Sequence, residues 1–398
     1  MRNFHKGRLG LPVLSNFIYP AESIRSFKQL VELELFHRED PSPEILSLRD
    51  EVENDPDFKS MNGLKIAYPF GGRFEIRDLA MWFIWRANEL GLRKARSDLR
   101  KFKQSKTLTG KFISPIIGFR TDKRIKLSDD YLIEPFDQLP IFEGKMTFSP
   151  ARGYITAGPV HYSWHDRCAL TFEIKYKIGD EAPSIKHKVS DEAFSICLIA
   201  SCLENTKLSM KRLVFASMDN SPFGFFRSSS SESIFGKDLD FNTPAKDERY
   251  SLDLKLLRLL LKREDEINIP DHVGNAIYHL WEAKFRQYDR DAYIALGMAL
   301  EIALNKGDDG GSNRDSISSS VKRRAAWLLG KNYSERKEIF DQVGRIYTLR
   351  SKIVHTGIIS TKSEKMIDRK LHENLVSRLL QKLIMSSEVN FDVLTLGG

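Results

Sequence analysis

Hydrophobic and polar residues alternate in two different ways along the chain. In the first part, short runs of β-branched and aromatic residues predict strands over 111–119, 124–136 and 170–179. Between them, apolar residues recur at helical spacing over 77–103, and another helix is predicted to begin near Ser190. This mixture predicts an α+β fold for the N-terminal part of the chain.

After about Tyr250 the pattern becomes helical throughout. Six segments repeat apolar residues every three or four positions, the last of them over about 362–386. Gly330 is predicted to end one helix, and Asn332 with Glu335 three positions later is predicted to cap the next. Six helices joined by short connections are typical of one compact bundle.

Residues 219–248 separate the two regions and are rich in Ser, Gly, Asp and Pro, which is typical of a linker or a long loop. The chain is therefore predicted to hold an α+β sensor or regulatory region over 1–245, followed by an all-α domain over 250–390. A glycine-rich segment at 307–313 is predicted to be a flexible connector within the helical domain.

The formal net charge of +8 favours approach to polyanions such as RNA. The sequence shows neither an apolar run of membrane-spanning length nor a signal peptide, which predicts a cytoplasmic protein with no membrane partner. Its three cysteines form no CxxC pair, and His161 and His165 have no Glu or Cys nearby that would complete a zinc site. No metal is expected.

Arg350 is the first candidate for chemistry. It falls on an apolar face of a predicted helix, where a guanidinium needs a partner or an opening into a cleft. His355 follows five positions later, about 140° further around an ideal helix, although the helix could loosen before Gly357. Arg binds phosphate oxygens and His transfers protons near neutral pH, which suits phosphodiester cleavage.

The same two residues also have a purely structural interpretation. Arg350 can pair with a carboxylate of the helical domain. A histidine such as His355 is favoured at the negative end of a helix dipole. The spacing of the two residues does not decide between this interpretation and the catalytic one.

The segment RIYTLRSKIVHTG (345–357) resembles the signature of the HEPN superfamily, with Arg350, the polar Ser351 and His355 at the family's spacing. The resemblance extends upstream through AYIALGMALEIAL and SVKRRAAWLLG, which are similar to helices of the ApeA-type branch. It implies a helical endoribonuclease that needs neither metal nor cofactor, and a homodimer whose two Arg–His motifs meet in one cleft. It also implies prokaryotic antiviral defence by abortive infection, with host RNA such as tRNA as target and a phage-derived trigger.

Three residues are candidates for supporting roles around this motif. Glu301 is either a boundary carboxylate that faces water or, as the resemblance implies, the group that orients Arg350 or His355. Tyr347 is either a core residue or a platform on which a base stacks. Ser351 belongs to the motif itself.

Basic residues that could bind RNA fall in two groups. Those of the helical domain are Arg323, Arg324 and Lys352, although the two arginines could equally be solvated helix charges. Those of the N-terminal region follow Trp82 and Trp85, which could stack bases. They are Arg93, Lys94, Arg96, Arg100, Lys101 and Lys103.

Two other functions remain open from the sequence. A non-catalytic HEPN module would bind RNA, a nucleotide or a partner protein without cleaving anything. A toxin would carry the same domain, silenced by a separate antitoxin.

Overall fold

The computed structural model confirms an α+β protein with a helix-rich C-terminal part. It describes residues 43–66, 72–135, 147–149, 154–156, 168–178, 185–210, 214–217, 252–267, 269–305, 317–359 and 364–386. The predicted linker at 219–248, the segment 307–313 and the pair His161 and His165 lie outside these residues. None of the described helices is both long and apolar enough to cross a membrane.

Two helices are found where the sequence pattern predicts one over 77–103. Gly91 separates them with φ 87° and ψ 154°, a conformation that residues with a side chain rarely adopt. The apolar spacing continues across this glycine, so periodicity did not indicate the break. The helices of this part are α1 (Pro43–Glu53), α2 (Pro56–Met61), α3 (Ile76–Leu90) and α4 (Leu92–Ser105).

The described strands form one antiparallel sheet and two separate two-stranded pairs. They are β1 (Lys65–Ile66), β2 (Gly72–Arg73), β3 (Thr107–Ile117), β4 (Ile125–Lys126), β5 (Tyr131–Pro135), β6 (Thr147–Ser149), β7 (Tyr154–Thr156), β8 (Cys168–Lys177), β9 (Ser209–Met210) and β10 (Val214–Ser217). The sheet order is β10-β3-β8-β5-β4, with β9 paired to the end of β3, while β1 pairs with β2 and β6 with β7. The strands predicted over 111–119 and 170–179 are confirmed as β3 and β8. The one predicted over 124–136 is divided into β4 and β5 by a turn.

The two faces of this sheet differ in polarity because successive residues of a strand point to opposite sides. On one face, Tyr131 of β5 stacks on Phe172 of β8 with ring centroids 4.9 Å apart. On the other face, the buried Glu134 accepts hydrogen bonds from Lys111 Nζ at 2.8 Å and from the Thr171 hydroxyl. Burial disfavours the charged carboxylate, but these partners hold the pKa of Glu134 below its usual value.

Helix α5 (Ile185–Ser201) lies between β8 and β9 in the chain, and the six helices predicted after Tyr250 are confirmed. They are α6 (Leu254–Ile267), α7 (Asp271–Phe285), α8 (Asp289–Leu304), α9 (Ile317–Leu329), α10 (Tyr333–Thr356) and α11 (Arg369–Met385). The chain divides into two compact units, and residues 193–210 belong with the C-terminal helices. The domain boundary expected near residue 245 lies outside the described residues and stays a prediction.

Buried polar contacts explain why 193–210 belong to the helical unit. Lys284 of α7 is 2% exposed, and its Nζ donates to the carbonyl oxygens of Leu203 at 2.8 Å and Thr206 at 3.0 Å. Burial lowers the pKa of Lys284 to about 8. Trp281 Nε1 donates to Leu208 O at 3.3 Å. No local sequence pattern indicates these partners, because they are more than 70 residues away along the chain.

Helix α8 lies at the centre of the helical unit and packs against α7, α9, α10 and α11. Its buried residues cover more than half of the helix circumference, as expected for a helix with several neighbours. They are Ala292, Tyr293, Ala295, Leu296, Gly297, Ala299, Leu300, Ala303 and Leu304.

A buried tyrosine–histidine pair connects α8 to α11. The Tyr293 hydroxyl accepts the Asp368 backbone N–H at 3.2 Å and forms a hydrogen bond of 2.8 Å with His372 Nδ1. His372 is fully buried, and this burial lowers its pKa to about 4. The imidazole is therefore neutral at physiological pH.

Acidification should destabilise the protein through His372. Between about pH 6.5 and about pH 4 the unfolded histidine is protonated while the folded one is not, so stability rises with pH in this window. Chemical denaturation at several pH values across the window measures the effect. Compared with the native chain, His372→Gln should lose less stability on acidification, whereas the control His279→Gln should follow the native curve. Parallel curves for the native chain and His372→Gln would contradict this role.

Candidate active site on helices α8 and α10

Helix α10 is capped at both ends, at its start by the residues that the sequence predicts. Asn332 Oδ1 accepts the Glu335 backbone N–H at 3.0 Å, and Glu335 Oε2 accepts the Lys331 N–H at 2.9 Å, which confirms the predicted cap. At the other end, Gly357 adopts φ 73° and its N–H bonds to Ile353 O at 2.7 Å. The 24 residues between these caps form one uninterrupted helix.

Arg350 projects from α10 onto α8. Its NH1 group forms an ion pair with Glu301, one turn after Gly297, and both charged side chains are about one quarter exposed, at 26% and 27%. Gly297 has no side chain, and the aliphatic part of Arg350 occupies the space where one would be: a Cβ built on Gly297 would lie 2.2 Å from Arg350 Cδ. Glu301 is thus the partner that the apolar surroundings of Arg350 require.

Tyr347 lies one turn before Arg350 and is buried. Burial and the nearby Glu301 carboxylate raise the pKa of its hydroxyl, so the phenol stays protonated. A side chain that is 91% buried presents no open ring face on which a base could stack. The alternative of a core residue is therefore correct for Tyr347 within this chain.

His355 lies in the last turn of α10 with its side chain exposed. The helix does not loosen before Gly357, so His355 stays about 140° around the axis and about 7.5 Å along it from Arg350. Within one chain the two residues therefore lie on different sides of α10. The apolar Val354 and Ile358 near His355 are exposed. Of the other two residues named for this motif, Ser351 is exposed and Lys352 is half-buried.

The structure corrects the expected position of Arg324. It is neither a solvated helix charge nor part of an RNA path, because it is 2% exposed and donates from NH1 to Leu304 O at 2.6 Å. Leu304 is the last residue of α8, where carbonyl oxygens lack partners within the helix, so Arg324 serves as a buried cap. Its neighbour Arg323 is only half-buried and remains a candidate for RNA binding.

The basic helix α4 also differs from the expectation, since much of its charge is already paired. Carboxylates of the α1–α2 segment bind two of its cations, and one of its own carboxylates binds a third. The pairs are Arg96 with Glu51 at 2.8 Å, Lys103 with Asp55 at 2.6 Å and with Asp57 at 3.0 Å, and Lys94 with Asp98 at 3.1 Å. Of the other candidates, Arg93, Arg100 and Lys101 have exposed side chains.

Trp82, just upstream, is fully buried with its ring 6.4 Å from that of Phe102. It cannot stack a base, because its ring is part of the core of this unit. Trp85 is half-buried, and the Arg86 guanidinium lies 5.6 Å from its ring centroid. The expected pair of stacking aromatics is therefore reduced to Trp85.

No group of three or more His, Cys, Asp or Glu residues that could hold a metal ion occurs among the described residues. Comparison of the chain with protein-family models, with curated proteins and with solved structures gave no match. The functional assignment therefore depends on the residues of this site and on their geometry.

The sequence pattern did not predict a role for Gly297 in this site. The feature that could have indicated one is a glycine in the middle of a helix otherwise rich in Ala, Leu and Ile. Such a position usually has a packing reason, because glycine weakens a helix by about 1 kcal/mol relative to alanine.

The charges of α4 should contribute to stability according to their burial. Asp98 is buried and forms an ion pair with the buried Arg86 at 2.6 Å, so Asp98→Ala should cost about 3–5 kcal/mol by leaving that guanidinium uncompensated. Lys94→Ala removes the exposed partner of the same carboxylate and should cost less than about 1 kcal/mol. Urea denaturation compares the two variants. Equal losses of unfolding free energy in the two variants would show that the buried Arg86 does not need Asp98 to neutralise its charge.

Proposed function

We propose that this protein is a metal-independent endoribonuclease of the HEPN type, with Arg350 and His355 as its catalytic residues. The observation that supports this most is the contrast between the two side chains. Glu301 holds the Arg350 guanidinium in a half-buried position, whereas His355 is exposed to solvent five residues later on the same helix. Phosphodiester cleavage needs a positioned cation that stabilises the phosphate charge, here Arg350, and an accessible group that transfers protons, here His355.

The reaction is an attack of an RNA 2′-hydroxyl on the adjacent phosphorus. His355 takes the 2′-hydroxyl proton as general base, and the imidazolium so formed passes a proton to the departing 5′-oxygen as general acid. Arg350 stabilises the negative charge that develops on the phosphate oxygens. The products are a 2′,3′-cyclic phosphate and a 5′-hydroxyl, and DNA resists because it lacks the 2′-hydroxyl.

In this proposal a homodimer brings an arginine and a histidine to one phosphate. Because Arg350 and His355 diverge by about 140° around α10, one chain does not present both to one phosphate. A second copy that contacts the exposed Val354 and Ile358 would cover apolar surface. It would also bring its own His355 towards the Arg350 of the first copy. In this proposal the arginine and the histidine that act on one phosphate come from different copies.

The biological role follows from the same proposal. A ribonuclease that cleaves host RNA, such as tRNA, would arrest an infected prokaryotic cell and limit the phage. The unit that contains the sheet would then respond to a phage-derived trigger, and the protein would act in the cytoplasm. Among the basic residues predicted to bind RNA, Arg93, Arg100 and Lys101 of α4 are exposed and Arg323 and Lys352 are half-buried, and in this proposal they guide RNA.

A non-catalytic HEPN module is the alternative, and one observation favours it. Glu301 already neutralises Arg350 in the single chain, which is the arrangement expected of a structural ion pair. Such a protein would bind RNA, a nucleotide or a partner protein without cleavage, and substitution of His355 would then have no effect on RNA integrity.

Arg350→Ala and His355→Ala should each reduce RNA cleavage at least about 100-fold, because each removes a group that acts in the transition state. Purified protein is incubated with total RNA in EDTA, and the ends of the fragments are mapped. His279→Ala is the matched histidine control, since His279 is half-buried and bonded to Glu282 on α7. Full activity in folded Arg350→Ala and His355→Ala would overturn the assignment, as would a requirement for magnesium.

Mixing the two inactive variants should restore part of the activity. A dimer of one Arg350→Ala chain and one His355→Ala chain keeps one arginine and one histidine, contributed by different copies, so its cleft remains partly functional. Cleavage is measured after the variants are mixed, with light scattering to confirm dimers. If the mixture stays inactive although mixed dimers form, the two residues do not act across the interface.

A further inference from the structure

Gly297 is the only glycine of α8, and it lies in the middle of a helix of 16 residues. Alanine would stabilise an isolated helix at this position, because glycine has more conformational freedom to lose. The structure shows what a side chain there would meet. A Cβ would lie 2.2 Å from Arg350 Cδ, 3.1 Å from its Nε and 3.2 Å from its Cγ.

Other helical glycines of the same unit lack this restriction. A Cβ on Gly274 of α7 would have no neighbour within 4 Å, and one on Gly344 of α10 would lie at an ordinary 3.5 Å from Lys322 Cδ. The close approach is therefore specific to Arg350 and is not general crowding of the helices.

We propose that Gly297 is the positioning residue that determines where the Arg350 guanidinium points, an inference that deepens the proposed ribonuclease function and rests on it. Two points fix the side chain: its Cδ lies in the space over Gly297, and its NH1 is held by Glu301 one turn later on the same helix. Nε is buried between these points and has no hydrogen-bond partner among the described residues. The guanidinium plane is thereby directed by α8.

A methyl group at position 297 would move this plane without removing any charge. Arg350 Cδ cannot remain 2.2 Å from a carbon atom, so the guanidinium must shift by about 1 Å or more. Displacements of that size reduce rates by about 100-fold where a group must be aligned with a reacting phosphate. RNA affinity should change little, because the cation remains present.

The first test measures cleavage by the full-length chain under single-turnover conditions in EDTA. Gly297→Ala should lose about 100-fold in the rate at saturating protein while its dissociation constant for RNA stays within about threefold. Gly344→Ala and Gly274→Ala are matched controls and should cleave at the native rate. Native cleavage by Gly297→Ala would overturn the inference.

The second test does not depend on ribonuclease activity. Melting temperatures are compared for the native chain, Gly297→Ala, Arg350→Ala and the double variant. If Arg350 occupies the space over Gly297, the alanine should raise the melting temperature by about 2 °C only in the Arg350→Ala chain, where the space is free. The comparison remains informative if the Gly297→Ala chain fails to fold. In that case the double variant should fold, because the space over position 297 is free without Arg350.

The two measurements separate failure of the inference from failure of the proposed function. An equal rise of the melting temperature in both chains would overturn the positioning role whether or not RNA is cleaved. A native chain that cleaves no RNA, combined with a rise in the Arg350→Ala chain alone, would overturn the ribonuclease proposal. That result would leave Gly297 as the residue that places Arg350.

Discussion

The ion pair between Arg350 and Glu301 is the constraint from which the geometry of the candidate site follows. A guanidinium among the buried Ile346, Leu349 and Ile353 is costly unless a carboxylate neutralises it, and α8 provides that carboxylate. The pair therefore joins α10 to the central helix α8 on the side of α10 that carries Arg350. His355 is then directed outward, since the helix is continuous between the two residues.

Local signals in the sequence were sufficient for much of this unit. The six helices after Tyr250 follow from apolar spacing alone, and the cap formed by Asn332 and Glu335 follows from residue types three positions apart. Such features are stabilised by neighbours along the chain, so a local pattern contains the information that specifies them. The same holds for β3 and β8, whose alternation reflects a sheet with one apolar face.

The features that the sequence did not indicate depend on partners distant along the chain. Arg96 pairs with a carboxylate 45 positions away and Arg324 caps a helix 20 positions away, so both seemed free when counted as charges. The break at Gly91 depends on a positive φ that apolar spacing does not record. For this reason a count of the basic residues along α4 overstates the number of cations available to RNA.

The structural and the catalytic interpretation of Arg350 are compatible because a guanidinium has five N–H donors. The described contacts place Nε in the interior and bind NH1 to Glu301, which leaves the NH2 end for a phosphate oxygen. Both side chains of the pair are about one quarter exposed, so an anion can reach them from solvent. Their partial burial lowers the local dielectric constant, which strengthens the attraction between the guanidinium and an anion. Glu301 can therefore orient the cation without consuming its capacity to bind phosphate.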